Sequence, residues 1–346
     1  MRVEVERQRL HLSRPLKTAH GTVEARDSLI LSIDDGSNVG WGEAAPLPTY
    51  DGGSLEACST ALDEIAAGLG SIDPDAPARS LAGLPEGVPS QVRAAVDVAV
   101  HDLAARRAGI PLWKYLGGES SAPIECSRLI QSTQSDAALV ELQQAADEGF
   151  TTIKLKAGFT GDIDFLHRVI PAATANGFRS VTVDANGRWS VSDATRAMEA
   201  LEPLGTLNLE QPVPGLAEMR QLMAADRAAT LILDESATDN HGLEMPPAGH
   251  ACALKLQAWG GCTRLLEAAR TARSSGIEIL IGSTLEGPIG IAASLHCAAT
   301  IAPELPCGLA TLDAFVETAS LGWTSDGFVT VPSTKGLGID PSGLPV

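Results

Sequence analysis

The stretch TTIKLKAG, residues 151–158, carries Ile153, Leu155 and Ala157 at alternate positions and two amines, Lys154 and Lys156, between them. On a strand, alternate residues share a face, so both amines point one way and the apolar residues the other. The same design recurs downstream. Asp184 and Asn186 in VTVDAN oppose Val181 and Val183. Glu210 opposes Leu207 and Leu209 in LNLEQ. Asp234 opposes Leu231 and Leu233, and Lys255 opposes Leu254 and Leu256. Three carboxylates brought together repel one another unless a cation joins them, and an all-oxygen donor set suits a hard divalent ion such as Mg²⁺, with Mn²⁺ as a substitute. Amines on either side of such a site suit removal of a proton next to a carboxylate, the resulting negative charge being stabilised by the cation. Lysines in this place read as bases and as electrostatic partners of a bound acid.

These residues need a scaffold that brings successive strand ends to one mouth. From about residue 123 short apolar strands alternate with helical segments: IECSRLI, TTIKLKA, SVTVDAN, TLNLEQP, ATLILDE, CALKLQA and IEILIGS, with SDAALVELQQAADEGF, SVSDATRAMEALEPLG and CTRLLEAARTARSSG between some of them. Repeated strand–helix units imply a parallel sheet, and seven or eight units imply a closed barrel with its reactive residues at the C-terminal strand ends. The charged residues from Lys156 to Lys255 are spaced by one such unit each. A doubly wound nucleotide-binding sheet is the competing architecture. No G-x-G-x-x-G follows a strand, however, and no G-x-x-x-x-G-K-[ST] occurs.

Upstream, RVEVERQRLHL and DSLILSIDDGSNVGWGEAAP read as strands, the latter a hairpin turning near Asp35-Gly36. Helices are expected over 54–68 and about 89–108, the second with Val92, Ala95, Val96, Ala99, Val100 and Leu103 at helical spacing. The expected organisation is an N-terminal α+β capping domain (1–118), a barrel (119–312) and a C-terminal segment (313–346) folding back on the cap.

The chain has 346 residues, 44% of them hydrophobic, and a formal net charge of −18. This acidity argues against nucleic acid and anionic membranes as partners. No run of about 18 apolar residues is present, and the N-terminus lacks an apolar leader, so a cytoplasmic location is expected. The six cysteines contain no C-x-x-C pair and read as thiols of a reducing compartment. The histidines show no H-E-x-x-H, which argues against a histidine zinc site. Gly287 and Gly290 in STLEGPIG either cradle an anion at a helix start or make a turn.

The series K-x-K, D-x-N, E-Q-P, D-E-S and L-K-L on consecutive strands resembles the enolase superfamily, and within it the muconate-lactonizing subgroup, over nearly the whole chain. The resemblance implies a modified (β/α)7β TIM-type barrel with an N-terminal α+β cap completed by the C-terminal tail. It implies Asp184, Glu210 and Asp234 as Mg²⁺ ligands, Lys156 as the general base beside Lys154, and Lys255 on the other face of a small carboxylate substrate. Asn186, Glu235 and Glu286 would support these residues. His20 in PLKTAHG, together with Ser283 and Thr284, would contact substrate, and the cap loops 15–22 and 46–54 would set specificity. Ser283 and Thr284 have a second reading as caps of the following helix.

RPLKTAHGTVEARDSLIL, GWGEAAPLP and GLATLDAF look most like o-succinylbenzoate synthases, lyases of menaquinone synthesis, whereas GSTLEGPIG resembles muconate cycloisomerases. Dipeptide epimerases carry an Asp-x-Asp after the last barrel strand. Here that site reads Thr311-Leu312-Asp313, which counts against them. The residues are thus compatible with a lyase, an isomerase (cycloisomerase or amino-acid or dipeptide epimerase) or a non-catalytic anion-binding barrel. A homo-oligomer is compatible with each.

Overall fold

The computed structural model describes residues 1–18, 21–205, 207–224, 229–238 and 248–340. Strands β1 (Arg2–Thr18), β2 (Gly21–Asp34) and β3 (Val39–Ala44) form an antiparallel sheet in that order. The β2–β3 hairpin turns where expected. Asp34 pairs with Val39, Gly36 has φ 89°, and Asp35 Oδ1 accepts the N–H groups of Ser37 (2.9 Å) and Asn38 (2.8 Å). An Asx turn and a left-handed glycine are what such a connection requires.

One face of this sheet buries Leu29, Leu31 and Ile33 against Val92, Val96 and Leu103 of the helix Ser90–Ala108 and against Cys58 and Leu62 of the helix Leu55–Leu69. Each such side chain contributes about 1.5–3 kcal/mol by leaving water. Strand β3 approaches the long helix closely. A Cβ on Gly42 would lie 1.9 Å from the Ala95 carbonyl oxygen, so glycine is required there by space, not by φ.

The helix Ser90–Ala108 is buried almost all round because it lies between cap and barrel. Its buried acids are paired with backbone and side-chain donors. Asp97 Oδ1 accepts the Cys262 N–H (2.7 Å) at the start of the helix Cys262–Ser274, on the barrel. Asp102 accepts the N–H groups of Trp41 (3.0 Å) and Leu337 (2.6 Å) and pairs with Arg106. Buried polar groups need such partners.

The expected strand IECSRLI divides in two. β4 (Ile124–Glu125) pairs with Phe328–Val329 of the tail, and only β5 (Arg128–Ile130) enters the barrel. There it starts a seven-stranded parallel sheet with β6 (Thr152–Lys156), β7 (Ser180–Asp184), β8 (Asn208–Glu210), β9 (Thr230–Leu233), β10 (Ala251–Lys255) and β11 (Glu278–Gly282), neighbours in sequence being neighbours in space. The segment Cys307–Gly308 bridges its two edges. Gly308 N–H donates to Ile281, and Cys307 exchanges hydrogen bonds with Glu125 and Ser127. The fold is a modified (β/α)7β barrel.

The tail returns to the cap as expected. Leu12 bridges Phe315, and Gly336 exchanges backbone hydrogen bonds with Ile110 and Leu112. Among the described residues no helix is long and apolar enough to cross a membrane. All six cysteines are buried.

Candidate active site

Register puts the charged residues side by side. Lys156 lies opposite Asp184 in the β6–β7 pairing, and Asp184 lies opposite Glu210 in β7–β8. Asp234 follows β9 and Lys255 ends β10. All five, with Lys154, line one cleft of about 790 Å³ at the C-terminal strand ends. The parity read from the sequence is thus what places these charges on the lumen face while the leucines and valines meet the outer helices.

Within the cleft each amine meets an acid. Lys154 Nζ lies 2.8 Å from Asp184 Oδ2 and 2.8 Å from Glu210 Oε1. Lys156 Nζ is 2.8 Å from the same Asp184 oxygen and donates to Asn186 Oδ1 (2.9 Å). Lys255 Nζ sits at 2.7 and 2.8 Å from the two Asp234 oxygens. Asn186 also donates to Glu235 Oε1 (3.0 Å) and has φ 45°, a left-handed conformation that asparagine tolerates.

The electrostatics follow from burial and these pairs. Burial alone raises Asp184, but Lys154 and Lys156 outweigh it and hold the carboxyl well below its usual range. Glu210 is pushed up to about 7, first by burial and then by the Asp184 and Asp234 charges, against the pull of Lys154. Burial disfavours the Lys154 and Lys255 ammonium groups, yet the surrounding carboxylates hold both above their ordinary value.

The three carboxylates fit a hard cation in donor type and burial: Asp184, Glu210 and Asp234 are at most 3% exposed. Asp184 and Glu210 already grip one positive charge between them, the Lys154 ammonium. As arranged, Asp234 is turned to Lys255, and among the described residues no three acidic, histidine or cysteine side chains close round a single point.

The other expected residues are distributed unequally. Glu235 lines the cleft, its carboxyl raised by burial and by Asp234. Ser283 and Thr284 line it too. Ser283 Oγ accepts the Leu285 N–H (3.4 Å) and meets Thr311 Oγ1 (3.4 Å). Glu286 is fully buried and is absent from the cleft lining, and its Oε2 accepts the Thr284 N–H (2.8 Å). His20 lies outside the described residues. Gly287 and Gly290 do hold an anion, but it is the chain's own: Glu43 of β3 accepts both N–H groups, at 2.7 and 2.9 Å.

Three contributions were not read from the sequence. Gln211, in the noted E-Q-P, has φ 36° and accepts the Asp234 and Ser236 N–H groups, fixing the turn that presents Asp234. Gln257 ties Ala45 and Glu43 of the cap to the barrel. Tyr50, in the noted loop 46–54, donates to Asp234 Oδ1 (3.0 Å). The polar residue in each motif was the available signal. Its partner is distant in sequence, and no local pattern announces it.

A capped (β/α)7β barrel with paired lysines and acids at its mouth defines a class of protein by fold and site together. The comparisons place the chain within that class. Residues 137–343 match the family model "Enolase C-terminal domain-like", and residues 1–117 match "Mandelate racemase / muconate lactonizing enzyme, N-terminal domain". The chain belongs to the enolase superfamily, in its muconate-lactonizing subgroup.

It is 32% identical over 348 residues to a chloromuconate cycloisomerase of Pseudomonas putida, covering 95% of this chain and 92% of the relative. It is 27% identical to a D-Ala-D/L-Ala epimerase of Cytophaga hutchinsonii, covering 97% and 94%. Among solved structures, the dipeptide epimerase of Methylococcus capsulatus complexed with Mg and the dipeptide L-Arg-D-Lys superposes with a TM-score of 0.87 at 28% identity, covering 97% and 98%.

Proposed function

We propose that the chain is a Mg²⁺-assisted isomerase of a small carboxylic acid, of the cycloisomerase type. Asp184, Glu210 and Asp234 would hold the ion, which when bound would neutralise negative charge building on the substrate carboxylate. Lys156 Nζ takes the proton α to that carboxylate. Lys255 Nζ, four strands round the barrel, faces the substrate from the other side. It either stabilises charge there or returns a proton. Lys154 supplies fixed positive charge on the Lys156 wall. The observation that carries this reading is the presence of amines from β6 and β10 in one buried cleft with three acids between them.

The substrate end near β11 favours cycloisomerase over dipeptide epimerase chemistry. There, among the described residues, the cleft offers the hydroxyls of Ser283, Thr284 and Thr311 and no carboxylate as counter-charge for a free ammonium. The dehydration expected from the likeness to o-succinylbenzoate synthases uses the same first proton transfer. The relatives named above are isomerases, and they support that class.

The test is turnover and exchange in D₂O with three substrate sets: muconolactones, the succinyl-hydroxycyclohexadiene acid, and a dipeptide panel. The expected result is Lys156-dependent α-deuteration and ring opening of a lactone. Faster dehydration of the cyclohexadiene acid would replace the isomerase by the lyase, and epimerisation of a free-amine dipeptide would overturn the substrate assignment. A chain inert to all three, with no α-exchange, would favour the anion-binding barrel.

A further inference from the structure

The amine of Lys255 is enclosed from the cap side by an aromatic ring. Its Nζ lies 3.9 Å from the centroid of Tyr50, while the Tyr50 hydroxyl donates to Asp234 Oδ1, the carboxylate that Lys255 itself contacts. Ring face, hydroxyl and carboxylate thus form a clamp with three corners round one flexible side chain.

The loop that delivers Tyr50 is itself anchored. The short helix Pro48–Asp51 starts with proline, ends at Gly52 with φ 67°, and follows Ala45 and Pro46. Their carbonyls accept from the buried Arg26, at 3.2 and 2.9 Å. The same guanidinium donates to Thr284 and Leu285 at the end of β11 (3.2 and 3.3 Å). One arginine therefore staples the Tyr50 loop to the barrel mouth.

We propose that Tyr50 is a positioning residue for Lys255, setting the place of its ammonium through the ring face and thereby making the second amine of the site depend on the docked cap. A lysine side chain has four rotatable carbons and much rotamer entropy to lose. A desolvated ring face attracts the ammonium without adding a formal charge that would neutralise it. Asp234 holds the ammonium through its oxygens, and the ring face adds a second contact from the cap. The kinetic consequence rests on the reading of Lys255 as a working amine, but the geometric claim does not.

The chain has only six lysines, so ¹³C-lysine NMR of the intact protein resolves the Lys255 ε-methylene, assigned with Lys255→Arg. An amine over a ring face is shifted upfield by the ring current. That shift is expected in the unsubstituted protein and in Tyr50→Phe, which keeps the ring, and it should vanish in Tyr50→Leu while the Lys154 and Lys156 signals stay in place. Turnover should follow: kcat falls about tenfold in Tyr50→Leu with KM little changed, and less than about threefold in Tyr50→Phe. An unshifted Lys255 signal in the unsubstituted protein, or the same shift in Tyr50→Leu, overturns the proposal. The expected spectra in a protein inactive on every acid tried would instead count against the isomerase reading and leave the clamp standing.

Discussion

Lys156 and Asp184 face each other directly across the β6–β7 pairing, with Lys156 Nζ 2.8 Å from Asp184 Oδ2. The Lys154 ammonium rests on the same oxygen. Strand register alone brings amine and acid this close, because both side chains leave the sheet on its lumen face. Lys156→Ala should therefore abolish α-proton exchange, with a loss of about 10²–10⁴-fold or more, while circular dichroism stays unchanged. Full activity of this variant on the true substrate would remove Lys156 from the base role.

Removing one acid should separate ion binding from folding. Asp184→Asn and Asp234→Asn are expected to weaken Mg²⁺ binding more than about 100-fold and to end turnover with the fold kept. Isothermal calorimetry reads the first effect. Unchanged affinity in either variant would contradict its place as a ligand.

Cap docking depends on Glu43, whose carboxylate receives the Gly287 and Gly290 N–H groups at the start of the helix Pro288–Ile301. Burial raises this carboxyl, and the two N–H groups oppose the rise. Glu43→Ala leaves both donors buried without an acceptor, so a loss of about 2–4 kcal/mol is expected. Glu43→Gln keeps an oxygen and should lose less. Urea midpoints compare the two, and equal midpoints for all three proteins would refute the docking role.

Two glycines should respond differently to alanine. At Gly42 the new Cβ meets the Ala95 carbonyl oxygen at 1.9 Å, backbone that cannot move aside alone, and a cost of about 3 kcal/mol or more is expected. At Gly36 nothing lies within 4 Å and only the left-handed φ of 89° is strained, which costs about 1–2 kcal/mol. Thermal unfolding of the two variants ranks them, and the reverse order would contradict the close approach of β3 to its helix.

The buried His296 makes the protein sensitive to acid away from the site. Its Nδ1 accepts the Trp113 N–H and its Nε2–H donates to the Leu337 carbonyl, each at 3.1 Å, which describes the neutral ring. Burial lowers its pKa from 6.5 to about 4. A group depressed in the folded state contributes stability above its unfolded pKa and loses it as pH falls. The loss should run from about pH 6.5 down to pH 4 and reach about 3 kcal/mol. His296→Gln should flatten that part of the pH–stability curve. An unchanged slope would show that this ring does not stay neutral in the folded protein.

Much of the architecture was legible in one dimension because it rests on local periodicity. Alternation of Leu and Val with Lys, Asp and Glu has period two. It therefore told which side chains share a face, and the one-unit spacing told that the strands are neighbours in a parallel sheet. The helix over Ser90–Ala108 was readable from its own period of about 3.6 residues, and the Asp35-Gly36 turn from residue types that tolerate its backbone. Tertiary structure alone decided what depends on contacts between distant segments. IECSRLI divides because β4 finds its partner in the tail, some 200 residues on. The anion at Gly287 and Gly290 is Glu43, from the other end of the chain. Tyr50 meets Lys255 across some 200 residues of sequence, from a loop that Arg26 ties to the end of β11. Periodicity fixes the direction in which a side chain points; only packing of remote segments decides what it meets.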